Sequence, residues 1–319
     1  MKLLLNKLTY LAIMLFIISL ISFIAINAAP NSFFASGELN PNITEESIAQ
    51  LKAVYGLDKP LYVQFFSWIT AIVQLDFGIS FASGVMVKDE IISRMPITLI
   101  INITSMVFIF VLSLYLGIKS ALNKNSFFDK FTGQLSLLSF SMPSFYLALL
   151  CVLIFAINFE ILPIAGLHSM SDDGSLEYYL DYAWHLILPI FIIVFGGIGS
   201  LTLYIRSLTI EILKSDYIFF ARARGLNNSQ ILRHYILPNL YPPVITLLGL
   251  SLPGIIGGSV ILETIFSIDG MGLLFFQSAL SHDYPVIMGI LIIGAFLTLI
   301  GNMIADLVLL KLNPNYNNK

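Results

Sequence analysis

Charged side chains are scarce in this 319-residue chain: Asp, Glu, Lys and Arg make up 11% of it, against about 25% in a soluble globular domain. That deficit excludes an ordinary soluble enzyme. The net charge is only −3 and basic residues form no long run, so the electrostatic footprint of nucleic-acid binding is missing. The single cysteine, Cys151, excludes an intrachain disulfide and a Cys-based zinc site. No lysine follows a glycine, so the Gly-Lys-[Ser/Thr] step of a phosphate-cradling loop is absent. The chain does not bind ATP by that motif, and nothing in it calls for a cofactor.

What the sequence has instead is apolar length, with 57% of residues hydrophobic. Six stretches free of charge reach the roughly 20 residues that a helix needs to cross a hydrocarbon core: Leu8–Ala29, Met95–Ile118, Phe131–Phe159, Tyr182–Ile205, Tyr235–Leu262 and Tyr284–Ala305. The expected fold class is therefore all-α, a polytopic membrane protein with six transmembrane helices. Ala25-Ile26-Asn27-Ala28 resembles a signal cleavage site. The apolar run before it exceeds the usual length of such signals, so we read an uncleaved first span. Pro60–Leu75 is shorter and holds Gln64 and Gln74, and reads as an interfacial or partly buried amphipathic helix.

Of the basic residues, only Lys52, Lys59, Lys88 and Arg94 fall on the side that also carries most acids, including Glu160, Asp172, Asp173, Glu177, Asp181, Glu263, Asp269 and Asp283. The positive-inside rule then puts both termini in the cytoplasm. Residues 1–29 form the first helix and 30–94 an external helical segment. Residues 95–310 form the main transmembrane domain, and 311–319 a cytoplasmic tail. In the external segment Thr44 reads as a helix start, Gly56 as its stop, and Asp58-Lys59-Pro60 as the next start. Asp172-Asp173-Gly174 reads as a turn. Pro143, Pro189, Pro242, Pro243 and Pro253 are helix breakers within spans. Gly254 and Gly258 have small-xxx-small spacing, which suggests a packing face; the alternative for these breakers and glycines is a kinked, mobile helix lining a pathway. Asn102, Ser105, Asn158, Ser200, Ser259, Asn302 and Asp306 are costly in lipid and should face the bundle interior.

The most informative segment is Asp216–Pro238. Ser215 or Asp216 caps a short helix, Gly225 ends it in the left-handed conformation, and Asn228 or Ser229 caps a second helix. The product is a helix–turn–helix elbow, with Tyr217, Phe219 and Phe220 beside Arg222 and Arg224. Aromatics with arginine on a short rigid helix suit a protein-docking knob. The alternative is a basic loop that anchors two spans.

The spacing from Ala221 through Gly225 to Tyr235-Ile236-Leu237-Pro238 resembles the coupling-helix signature of permease subunits of bacterial ABC importers. In the family pattern Glu-Ala-Ala precedes the spacer. Here Phe219 and Phe220 replace the first two, as in the peptide and nickel branch, and Tyr235 stands where an Ile is usual. Further likenesses run along the chain: Gly56–Gln64, Arg94-Met-Pro-Ile-Thr98, Ser141-Met-Pro-Ser-Phe145, His185-Leu-Ile-Leu-Pro189, Gly257–Glu263, Phe266–Gly270 and Asp283-Tyr-Pro285. Leu75–Ser83 and Arg224-Gly-Leu-Asn227 look most like the nickel permease subunit.

The resemblance implies a type I ABC importer permease fold in the bacterial inner membrane, without an ATPase site of its own. Its implied partners are a second homologous permease, two cytoplasmic ATP-binding subunits, a periplasmic or surface-anchored substrate-binding protein, and membrane lipid. The implied cargo is nickel, as ion or chelate, with dipeptides or oligopeptides as the alternative. The coupling elbow then comprises Asp216, Tyr217, Phe220, Ala221, Arg222, Arg224, Gly225, Leu237 and Pro238. Glu263, Asp269 and Asp283 are candidates for the pathway or outer gate. His168, His185, His234 and His282 form no ligand cluster by spacing, and no metal site is expected.

Overall fold

A computed structural model describes residues 2–28, 59–169 and 174–312. The expected helix from Thr44 to Gly56, together with Asp58, Asp172 and Asp173, lies outside the described residues. Those described form helices, with one isolated β-bridge between Ile79 and Met86. We number the helices α1 (Lys2–Ala28), α2 (Leu61–Val73), α3 (Val87–Leu122), α4 (Phe127–Ser141), α5 (Ser144–Cys151), α6 (Leu176–His185), α7 (Ile187–Leu213), α8 (Asp216–Ala223), α9 (Asn228–Ile231), α10 (Leu237–Gly257), α11 (Val260–Ile265), α12 (Met271–Leu280) and α13 (Tyr284–Leu312). Val152–Asn158 and Leu232–Ile236 are π-helical.

The all-α, multi-span expectation holds. Among the described residues, four helical stretches are long and apolar enough to cross a membrane: α3, α7, Asn228–Leu252 and α13 within Tyr284–Val308. The α4–α5 pair would be a fifth if counted as one span, and α1 extends over 27 residues. Large apolar side chains on these helices stay bare, among them Ile100, Ile103, Val107 and Val111 on α3. Such a surface needs lipid or another apolar partner.

The third expected span, Phe131–Phe159, is broken at Pro143, one of the expected helix breakers, into two arms bent by 102°. The break is Met142-Pro143. Residues before proline are pushed out of the helical region, and Met142 sits at φ −85°, ψ 121°. Pro143 becomes the N-cap of α5. The fourth span also starts later than expected. α6 ends at His185, Leu186 separates it from α7, and Pro189 lies in the first turn of α7. There proline breaks nothing, because first-turn N–H groups have no intrahelical partner.

The Gly254–Gly258 packing face is corrected as well. A Cβ on Gly254 would meet open space, and Gly258 lies past the end of α10 at φ +62°. Pro60 stands where a helix start was expected, as N-cap of the 13-residue α2. That helix is too short to cross.

The chain divides into two compact units. The first comprises residues 1–98, 256–260 and 269–303. In it Phe65 of α2 is buried against Phe16 and Phe23 of α1, with edge-on ring contacts at 5.7 and 5.4 Å. A separate core joins Val87 and Ile91 to Met271, Leu274, Val286 and Ile290. The second unit comprises residues 99–255, 261–268 and 304–319. It holds the α4–α7 pair and the elbow, built on a core of Ile205, Ile218, Ile231, Ile236 and Leu240.

Candidate functional site

The elbow is built from backbone chemistry on both sides of Gly225. Ser215 takes the N-cap position of α8, and its hydroxyl donates to the Ile212 carbonyl instead of capping. At the other end Gly225 adopts φ +81°. The Gly225 N–H then donates to the Arg222 carbonyl (2.9 Å) and the Leu226 N–H to the Ala221 carbonyl (3.2 Å). Together these bonds make the paired helix stop of a Schellman motif, and Leu226 packs against the elbow core as that motif requires.

The next helix starts one residue earlier than expected. Asn227, not Asn228 or Ser229, is its cap. The Gln230 N–H donates to Asn227 Oδ1 and the Asn227 N–H to Gln230 Oε1, each at 2.9 Å. Two adjacent residues, Leu226 and Asn227, are thus fixed from opposite sides, so the turn is stiff. The following π stretch has a local cause. Pro238 has no N–H to give the His234 carbonyl, which removes one α-type bond from the helix.

The elbow sorts its side chains cleanly. Ile218 and Ala221, three residues apart, point inward at 1% and 2% exposure, whereas Phe219 and Phe220 are 70% and 62% exposed. Tyr217 is also exposed and stacks flat on Tyr235, rings 6.0 Å apart. Arg222, Arg224 and Gly225 are exposed, as are Asp216 and Pro238, while Leu237 is half-buried. Each isoleucine of the supporting core gains roughly 2 kcal/mol from burial. The knob therefore holds its shape without a partner, and its bare face is aromatic and cationic.

A cavity of about 470 Å³ lies among α3, α7 and α10. Its polar lining consists of Asn102, Ser200, Tyr204 and Ser251, with Gly197 and Gly254 leaving room in the walls. Among the described residues, no carboxylate, lysine, arginine or histidine lines it. At its edge Asn102 Nδ2 donates to the Ile255 carbonyl at 2.8 Å. That carbonyl belongs to the last turn of α10, whose oxygens have no helical donor. Of the in-span polar groups expected to turn inward, Asn102 and Ser200 line this cavity and Ser105 is buried, whereas Asn158 and Asp306 are exposed.

The three acids proposed for a gate have different surroundings. Asp283 is buried and accepts from Ser80 Oγ (2.5 Å) and from the Phe81 and Ala82 N–H groups (3.1 Å each), which holds the loop ahead of α3. Asp269 faces solvent and pairs with Arg94 at 2.8 Å. Glu263 is buried within α11. Among the histidines, His185 is buried between the Asp181 carbonyl and Ser169 Oγ, His234 bonds the Gln230 carbonyl, and His168 and His282 pack on Tyr178 and Tyr284. Among the described residues no three His, Cys, Asp or Glu side chains converge on a metal position.

One pair escaped the sequence reading. Arg206 of α7 forks onto Asp129 of α4, Nε to Oδ1 at 2.6 Å and Nη2 to Oδ2 at 2.8 Å. Asp129 also accepts from Ser120 Oγ and from the Asn125 N–H. The two residues are 77 positions apart, and only their shared place on the basic side of the spans hinted at a pairing.

Comparison with known proteins agrees over nearly the whole chain. Residues 109–318 match the family described as binding-protein-dependent transport system inner membrane component, and residues 1–102 match the N-terminal module of such membrane components. An oligopeptide transport system permease protein, AppB of Bacillus subtilis, is 35% identical over 298 residues, covering 93% of each chain. OppB, an oligopeptide permease protein of Haemophilus influenzae, is 36% identical over 302 residues, covering 94% of each. A metal-staphylopine import system permease protein, CntB of Staphylococcus aureus, is 29% identical over 316 residues, covering 98% of this chain and 97% of that one. The chain therefore belongs to the binding-protein-dependent inner-membrane transport components, as a multi-pass permease subunit of an ABC importer.

Proposed function

We propose that this permease carries short peptides across the inner membrane. The supporting observation is the full-length likeness to permeases named for oligopeptides and dipeptides, at 32–36% identity over more than nine-tenths of the chain. The cavity chemistry agrees with this reading. Amide and hydroxyl groups without charge suit a cargo made of peptide units, and they offer no strong hold on a bare dication. A second reading, nickel as ion or chelate, is favoured by the Leu75–Ser83 likeness and by the metal-staphylopine permeases among the relatives.

In the proposed assembly a second permease completes the path, and an external binding protein delivers cargo. Two ATP-binding subunits on the cytoplasmic side receive the elbow. Both termini then lie in the cytoplasm, and Asp269 and Glu263 fall on the outer side, near the gate. The elbow's own contribution is mechanical: a stiff knob passes on the closure of the ATP-binding pair, and the bundle switches between inward and outward access. No side chain of this permease reacts.

A deletion strain decides the cargo. Resistance to a toxic peptide, restored to sensitivity by the intact gene, supports the peptide reading. Loss of nickel accumulation with unchanged peptide sensitivity refutes it.

A further inference from the structure

α4 and α7 meet along a seam with almost no apolar filling. The buried residues of α4 are Asp129, Thr132, Ser136 and Ser139, a three-four-three spacing that keeps them on one face. Opposite them on α7 lie Arg206, Gly199 and Phe195, and the register set by the Asp129–Arg206 and Ser136–Gly199 contacts brings Thr132 level with Thr202. The register is antiparallel. The Asp129–Arg206 fork closes one end, and the Ser139 hydroxyl donates to the Phe195 carbonyl at the other. Between them the backbones touch: a Cβ on Gly199 would come within 2.4 Å of the Ser136 carbonyl oxygen. The second arm of the bent pair, α5, also packs on α7.

The far face of α7 carries Ile193, Gly197, Ser200 and Tyr204 into the cavity. From its end at Leu213 the chain enters the elbow directly. One helix thus joins elbow, cavity wall and bent pair. Small residues in close contact, fixed by polar bonds at both ends, leave no smooth apolar surface along which the helices could slip.

We propose that α7 and the bent α4–α5 pair move as one rigid piece, pinned near the elbow by the Asp129–Arg206 fork, so that displacing the elbow moves the α7 wall of the cavity instead of bending α7. Asp129 and Arg206 are then positioning residues for transport. The inference rests on the reading that the elbow is driven by ATP-binding subunits.

The test uses the whole assembled transporter, with cargo uptake and ATP hydrolysis measured together. In a Cys151→Ser background, Thr132→Cys and Thr202→Cys are oxidised to a disulfide across the seam. Both threonine hydroxyls are buried without a hydrogen-bond partner, so their replacement breaks no bond, and the fork stays intact. A seam that never slides keeps uptake within about twofold of the reduced protein. Uptake that stops on oxidation and returns on reduction, with hydrolysis unchanged throughout, overturns the proposal. Asp129→Asn should lower uptake per ATP hydrolysed by about tenfold, the size of an ordinary coupling energy; an unchanged ratio also overturns it. Should that variant fail to reach the membrane, the oxidised pair decides alone. ATP-driven uptake by the unmodified complex establishes the underlying reading, so a defect confined to the variants belongs to the seam.

Discussion

Replacing Gly225 by valine isolates the elbow's turn from everything around it. A Cβ at Gly225 would meet nothing within 4 Å, so the perturbation is purely conformational. At φ +81° an ordinary L-residue pays about 1–2 kcal/mol, and a β-branched one stands toward the upper end of the roughly 1–3 kcal/mol range for strained backbone. Relief requires leaving the left-handed region, which breaks the Gly225–Arg222 and Leu226–Ala221 bonds and frees Leu226 from the elbow core. A cost of that size shifts the turn's population by about tenfold to a hundredfold. Gly225→Val should therefore reach the membrane in normal amount and lose about nine-tenths of its uptake. Asparagine tolerates the left-handed region, so Gly225→Asn should stay near normal and Gly225→Ala fall between. The assay is cargo uptake normalised to membrane-inserted protein. Equal uptake across the three variants would refute the argument that a stiff turn is required.

Other expected outcomes follow the same geometry. Gly199→Ala puts a methyl against the Ser136 carbonyl and should cost about 1–3 kcal/mol through overpacking, seen as a lowered melting temperature in detergent; an unchanged melt contradicts the close approach. Asp283→Ala leaves Ser80 Oγ and two backbone N–H groups without their acceptor, a loss on the order of 3 kcal/mol. The amides of Phe81 and Ala82 should then exchange faster with deuterium, and unaltered exchange would contradict the loop-holding role. Purified without partners, the chain should hydrolyse no ATP, and measurable turnover would contradict the division of labour. A reporter fused after Lys319 should register on the cytoplasmic side; an external signal reverses the orientation.

Several features were legible in the sequence because their causes are local. Uncharged runs mark helices long enough to cross, and Gly225 marks a helix stop. The bare face of α8 was legible from Phe219 and Phe220 beside Arg222 and Arg224. The misses arose where two local signals competed or where the cause was distant. Asn227 and Asn228 are both good caps, and only the reach of Gln230 selects the first. Pro143 marks a breaker in the third span, but its apolar flanks hide the size of the turn, 102°, which follows from the restriction proline puts on Met142. Gly254 and Gly258 share a packing spacing, but α10 ends between them. The Asp129–Arg206 fork depends on how α4 lies along α7, and no sequence window contains both.

The central claim is that this permease is moved through its elbow. A cysteine at Phe220, introduced after Cys151→Ser, tests it most directly in the assembled transporter. Oxidation with a single cysteine placed along the groove of the ATP-binding subunit should give one mixed product of the two chains. A full series of groove positions that yields no such product, in a complex that still transports, would contradict it.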